Sequence, residues 1–168
     1  MTKDSGKHQE IRRNIMRSLD GKAKFFSSHD DNGDIKFFVK KDEGRIDLAE
    51  PDILVIKNDR TLVVEIELNN SPKHLLGVAS AIAASEQCEF NKQPINIKNK
   101  DLLLVLDYSS VCKKGSKKPK QLQEVKSVIK KGSSFEYFDI VTNEEASDVI
   151  LNWTHNIDEV VAICKPSS

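Results

Sequence analysis

Apolar residues fall one helical turn apart in "GKHQEIRRNIMRSL", residues 6–19, at Ile11, Ile15 and Leu19, with Met16 beside them. The spacing predicts an amphipathic helix, with Arg12, Arg13 and Arg17 outside the stripe and Asp20-Gly21 ending it. The period then shortens to two. "AKFF" and "IKFFVK" read as strands paired with each other across the turn-forming cluster "SSHDDNGD". Residues 52–57 and 61–68 read as two further strands joined by a tight "NDR" connection. At Ser71 the helical period returns. Ser71 is a natural N-cap, Pro72 suits the first helical position, and the run through Phe90 predicts a largely buried helix of about five turns. "DLLLVLDY" is a continuous apolar strand of the kind covered on both faces of a sheet. "KKPKQLQEVKSVIKKG" predicts a basic helix ending at Gly132, "SFEYFDIVT" an alternating strand, and the remainder a short helix and tail.

This order predicts an α/β fold: one domain over residues 1–168, with a mixed sheet flanked by helices on both faces. Composition adds a lean core under a charged surface, with 38% apolar and 31% charged residues. The net charge of zero gives no whole-chain argument for nucleic acid, but the charges are segregated. Residues 113–131 hold eight lysines against Glu124 alone, while residues 136–159 hold seven acids and no Lys or Arg. That pattern fits either an electropositive side facing an anionic partner or a pair of solvated faces. Cys88, Cys112 and Cys164 are far apart and odd in number, which argues against a disulfide framework or a zinc site and points to a reducing, cytoplasmic setting. The first residues lack the apolar core of a secretory signal, and no apolar run is long enough to cross a bilayer.

The chemistry concentrates in "PDILVIKNDRTLVVEIE", residues 51–67. Side chains alternate along a strand, so Glu65 and Glu67 share one face, opposite Leu62, Val64, Ile66 and Leu68. The short turn lays the strand opened by Asp52 alongside, so three carboxylates converge near one sheet edge. Buried together they repel, and a cation belongs among them. The oxygen donors suit Mg²⁺ (or Mn²⁺), which is held by one or two carboxylates with substrate phosphate and can activate water against a phosphodiester. His8, His29, His74 and His155 show no ligand spacing among themselves. The plain alternative is an acidic, solvent-facing strand.

Pro51-Asp52, thirteen residues to Glu65, then "EIE" and a helix resembles the PD-(D/E)xK nuclease superfamily, the fold of many restriction endonucleases. The resemblance implies an α-β-β-β-α-β core over roughly residues 6–106, with metal held by Asp52, Glu65 and the backbone carbonyl of Ile66. An acid from the first helix, here Glu10, completes the metal shell in several members; here it can equally be a solvated surface residue. Glu67 stands where a lysine is usual, a Glu-x-Glu variant that some restriction enzymes share. Lys73, six residues on, either returns an ammonium to the acids or stays a solvent-exposed helix-start lysine. Asp47 and Glu50 in "GRIDLAEPD" are expected close to the same sheet edge, with Arg45 open to phosphate or to one of these two acids. The resemblance makes the expected activity Mg²⁺-dependent DNA endonuclease cleavage, with Asp52, Glu65, Glu67 and Lys73 as the catalytic set. Lys113, Lys114, Lys117, Lys118 and Lys120 are the expected backbone contacts to DNA, and a two-fold homodimer is the expected arrangement for cutting both strands. A structure-specific or repair nuclease of junction-resolvase kind fits the same residues, as does a non-catalytic nucleic-acid-binding module that retains the fold.

Overall fold

The computed structural model describes residues 5–28, 33–157 and 161–164, so most of the "SSHDDNGD" turn and His29 lie outside the described residues. Helix α1 (Ser5–Leu19) is followed by a turn in which Lys22 and Ala23 donate to the Leu19 carbonyl, at 2.9 and 3.0 Å. Gly21 there has φ +69°, the left-handed conformation that glycine adopts at least cost after a helix. Five strands form one sheet in the order β1 (Lys24–Ser27), β4 (Ile53–Lys57), β5 (Arg60–Glu67), β8 (Asn99–Leu106) and β9 (Phe138–Thr142). The β1–β4 and β4–β5 pairs are antiparallel, whereas β5–β8 and β8–β9 are parallel. The predicted mixed sheet is therefore present, and Asn58-Asp59 alone closes the β4–β5 hairpin, with Asn58 at φ 52°.

Helices cover both faces. Along β8, Leu102, Leu104 and Leu106 pack towards α2 (Pro72–Ala84) and α4 (Lys118–Gly132). The intervening Leu103 and Val105 pack towards α1 and α5 (Ala146–Thr154). This two-sided burial is the reason the strand reads as an unbroken apolar run. Within α1, residues turn by about 100° each, so His8 and Arg12 fall on the same face as Ile11, Ile15 and Leu19. Arg12 is 1% exposed, which corrects its placement outside the stripe.

Two expectations fail for one reason: a second, four-stranded antiparallel sheet that local pattern did not reveal. Its order is β3 (Gly44–Ala49), β2 (Ile35–Lys41), β6 (Gln87–Phe90) and β7 (Gln93–Ile95). "IKFFVK" is thus paired with β3 and β6, not with "AKFF", which instead joins β4. The alanine-rich helix stops at Ala84, because Cys88 is drawn opposite Phe37 in the second sheet. Lys100 also caps the helix end, with Nζ donating to the carbonyls of Ile82 (2.7 Å), Ala83 (3.3 Å) and Ser85.

The cysteine reading is corrected too. Cys112 and Cys164 form a disulfide across 52 residues, while Cys88 is a buried free thiol. The expectation of a reducing compartment therefore loses the support it drew from cysteine usage. Among the described residues, no helix is long and apolar enough to cross a membrane.

Candidate active site

The parallel strands β5 and β8 end side by side, with Glu67 opposite Leu106, and antiparallel β4 begins at that same edge. Asp52 immediately precedes β4. Its backbone carbonyl accepts from the Ser28 N–H at 2.9 Å and from the Ser28 hydroxyl at 3.3 Å. Its carboxylate is held at both oxygens: Oδ2 accepts the Ile66 N–H at 2.8 Å, and Oδ1 lies 3.1 Å from Nε2 of His8. A strand residue points its N–H and C=O to the same side, so the Ile66 carbonyl also faces the Asp52 edge.

Glu65 is 7% exposed and lies against Asp52, while Glu67 is half-buried and bonded to His74 Nε2 at 2.5 Å. Burial pushes the Glu65 carboxyl well above its ordinary pKa; the negative charges of Asp52 and then Glu67 add to this, and the backbone N–H of Asp52 opposes it. Burial also raises Glu67, with the His74 hydrogen bond pulling the other way. The Asp52 hydrogen bond raises His8, against burial and against the positive charge of buried Arg12.

The three acids expected to converge are thus at one edge, with His8 and His74 bonded to Asp52 and Glu67 and the Arg12 guanidinium near His8. Sequence reading missed both histidines because it compared them with one another. Their partners are carboxylates. The available signals were His8 at three and four residues before Ile11 and Arg12, and His74 in the first turn of the helix following Glu67.

A cleft of about 660 Å³ opens beside Glu65 and Glu67, and Glu50, Asn69, Lys73 and His74 also line it. Lys73 is exposed at its mouth. Glu10 is not brought to the cluster: it pairs with Lys7 at 3.7 Å with its side chain 60% exposed. Two residues from His8, it points to the opposite side of α1. Arg45 is engaged by Asp47 (2.5 Å) and Glu89 (2.8 Å) and stacks on Phe38, so it serves the second sheet. It lines another hollow, of about 600 Å³, into which Lys40, Lys98 and Lys100 also reach; Arg45 and Lys100 there are already bonded within the protein.

The oxygen set of Asp52, Glu65 and the Ile66 carbonyl suits a hard divalent cation. Among the described residues no three His, Cys, Asp or Glu side chains are gathered into a metal cage.

The lysine segment leaves the same edge. Strand β8 leads into α3 (Tyr108–Val111), tied to the loop after β5 by Asn70 donating to Ser110 at 3.4 Å. Lys113, Lys114, Lys117 and Lys120 are exposed, and half-buried Lys118 donates to Gln121 at 3.0 Å. Lys126 departs from this basic face, being buried and paired with Asp139. No family model, curated protein or solved structure matches the chain.

The raised Glu65 pKa has a direct consequence for stability. Below the ordinary carboxylate range the folded and unfolded chains both carry the proton, and the group costs nothing. As pH rises past that range the unfolded chain loses the proton that the folded chain keeps, so stability falls until the raised folded pKa is passed. Glu65→Gln is therefore expected to raise the melting temperature of metal-free protein near neutral pH, by about 2–4 °C for each kcal/mol relieved. The gain should vanish in acid. Identical melting curves for both proteins at mildly alkaline pH would contradict the buried acid.

Proposed function

We propose that the chain is a Mg²⁺-dependent DNA endonuclease of the PD-(D/E)xK type, hydrolysing a phosphodiester with water as nucleophile. The observation that carries this reading is the contact between Asp52 and Glu65 at the carboxyl edge of the sheet, beside an open cleft. Ligands bind at such edges in open α/β sheets because loops and helix ends converge there. Asp52, Glu65 and the Ile66 carbonyl would hold the ion, which when bound supplies charge at the phosphate and acidifies water.

The remaining roles belong to the chain itself. Glu67 replaces the customary lysine, and its raised pKa makes it a stronger base than an ordinary carboxylate. His74 fixes which Glu67 oxygen stays free for water. Lys73, at the cleft mouth, offers an ammonium to the scissile phosphate, and the exposed lysines from Lys113 to Lys120 hold neighbouring phosphates. Cutting both strands of a duplex would take two copies related by a two-fold axis.

One feature favours a second reading. Histidine nitrogens already cover one oxygen each of Asp52 and Glu67, so two of the three acids have partners without an ion, as expected of a non-catalytic nucleic-acid-binding module of this fold. Plasmid nicking with Mg²⁺ or Mn²⁺ separates the two. The native chain should nick, and Glu65→Ala should lower the rate by about 10²–10³-fold. A native protein that neither nicks nor releases heat with either ion would leave only the binding module.

A further inference from the structure

The Cys112–Cys164 disulfide stands at the root of the lysine loop. Cys112 closes α3, its N–H donating to the Tyr108 carbonyl at 2.8 Å, and the next residues are the exposed Lys113, Lys114, Gly115, Ser116 and Lys117. That loop is lightly held. It has one internal backbone bond, Ser116 N–H to Lys113 O at 3.0 Å, and its far end is held at the start of α4, where the Ser116 hydroxyl accepts from the Lys118 N–H at 3.1 Å and the Lys117 carbonyl from the Gln121 N–H at 3.2 Å. On the other side of the disulfide, Val161 is buried in the layer of α1 and α5, and Ile163 in the layer of α2 and α4. Residues 161–164 thus pass from one face of the sheet to the other and are bonded to the loop through Cys164. Both bonded cysteines are partly exposed, whereas Cys88 is buried and its thiol is pushed up to about 12. A soluble thiol can therefore reach the disulfide while Cys88 stays inert.

We infer that the Cys112–Cys164 bond is a redox clasp that fixes the lysine loop beside the acid cleft and releases it on reduction. A low-molecular-weight thiolate attacks one sulfur, forming a mixed disulfide and freeing the other cysteine as thiolate. A second thiol displaces the first as a small disulfide. The protein sulfurs gain the two electrons that the small thiols lose, and the protons of those thiols end on Cys112 and Cys164. Freed from the tail, the loop samples more conformations and must be ordered again on each encounter with an anion. The clasp itself is independent of the nuclease reading; its effect on DNA capture rests on that reading.

The test uses the full chain, air-oxidised, reduced with glutathione, and as Cys164→Ser. Trypsin cleavage after Lys113, Lys114 and Lys117 is followed by mass spectrometry, with Arg13 and Arg17 of α1 as internal reference. Reduction and Cys164→Ser should each speed loop cleavage by about tenfold, since cleavage tracks the open population, and leave the α1 sites unchanged. Retention of a DNA duplex without divalent ion should weaken about three- to tenfold in the same two states. Free thiols at both positions after air oxidation, cleavage unchanged by redox state, or cleavage that rises equally at all sites would overturn the clasp. A loop that responds while no state retains the duplex would uphold the clasp and remove the DNA reading instead.

Discussion

Asp52→Asn is expected to abolish Mg²⁺ binding by calorimetry and to lower nicking by about 10³-fold, or about 4 kcal/mol of transition-state stabilisation. The substitution is nearly isosteric. Its oxygen can still accept the Ile66 N–H at the Oδ2 position, and its amide can face His8, so β4 and β5 should remain in register. What disappears is the negative charge. Two local readouts separate this from unfolding. His8 loses its main cause of a raised pKa, so its imidazole should titrate lower by NMR. Glu65 loses the nearest like charge, so its carboxyl should fall towards its ordinary value while burial still holds it above. Full nicking by a folded Asp52→Asn protein would show that the chemistry lies elsewhere.

Lys126→Ala should be the most damaging single change to stability, costing about 3–5 kcal/mol by urea denaturation. Lys126 and Asp139 are both almost wholly buried, on α4 and β9, and pair with each other. Removing the ammonium strands a carboxylate that, among the described residues, keeps only the bond from the Ile140 N–H at 2.7 Å. Replacing both, as Lys126→Met with Asp139→Leu, should recover much of the loss, because no charge is left to desolvate. The same variant tests the basic face. An exposed lysine that contacts phosphate should reduce the salt slope of duplex binding by roughly 0.9 when removed. Lys126 in the folded double variant should leave that slope unchanged. A change of slope there would mean that the pair opens on binding.

Where the chain follows its local pattern, the pattern was a good guide. The α1 stripe, the β4–β5 hairpin, the capped start of α2 and the apolar β8 all appear where periodicity and turn chemistry put them. The acid cluster was legible for the same reason: strand alternation puts Glu65 and Glu67 on one face, and a two-residue turn forces Asp52 alongside. The second sheet was not legible. Strand β3 is largely exposed, with Ile46 51% exposed, and β6 and β7 are four and three residues long, so no apolar alternation marks them. Arg12 misled because a guanidinium is ordinarily solvated, and here it lies inside the helix stripe.

By itself the sequence determined the helices and strands whose burial repeats at the period of the element, and with them the carboxylates at the edge of β5. The tertiary structure alone decided which partners those acids have. His8 comes from α1, Ser28 from the end of β1 and His74 from α2, and only the packing of those elements on the sheet sets their distances. It likewise decided that Cys112 and Cys164 meet, since the burial of Val161 and Ile163 carries the tail to the loop. Periodicity records which side of an element is buried; it holds no information about what that side is buried against.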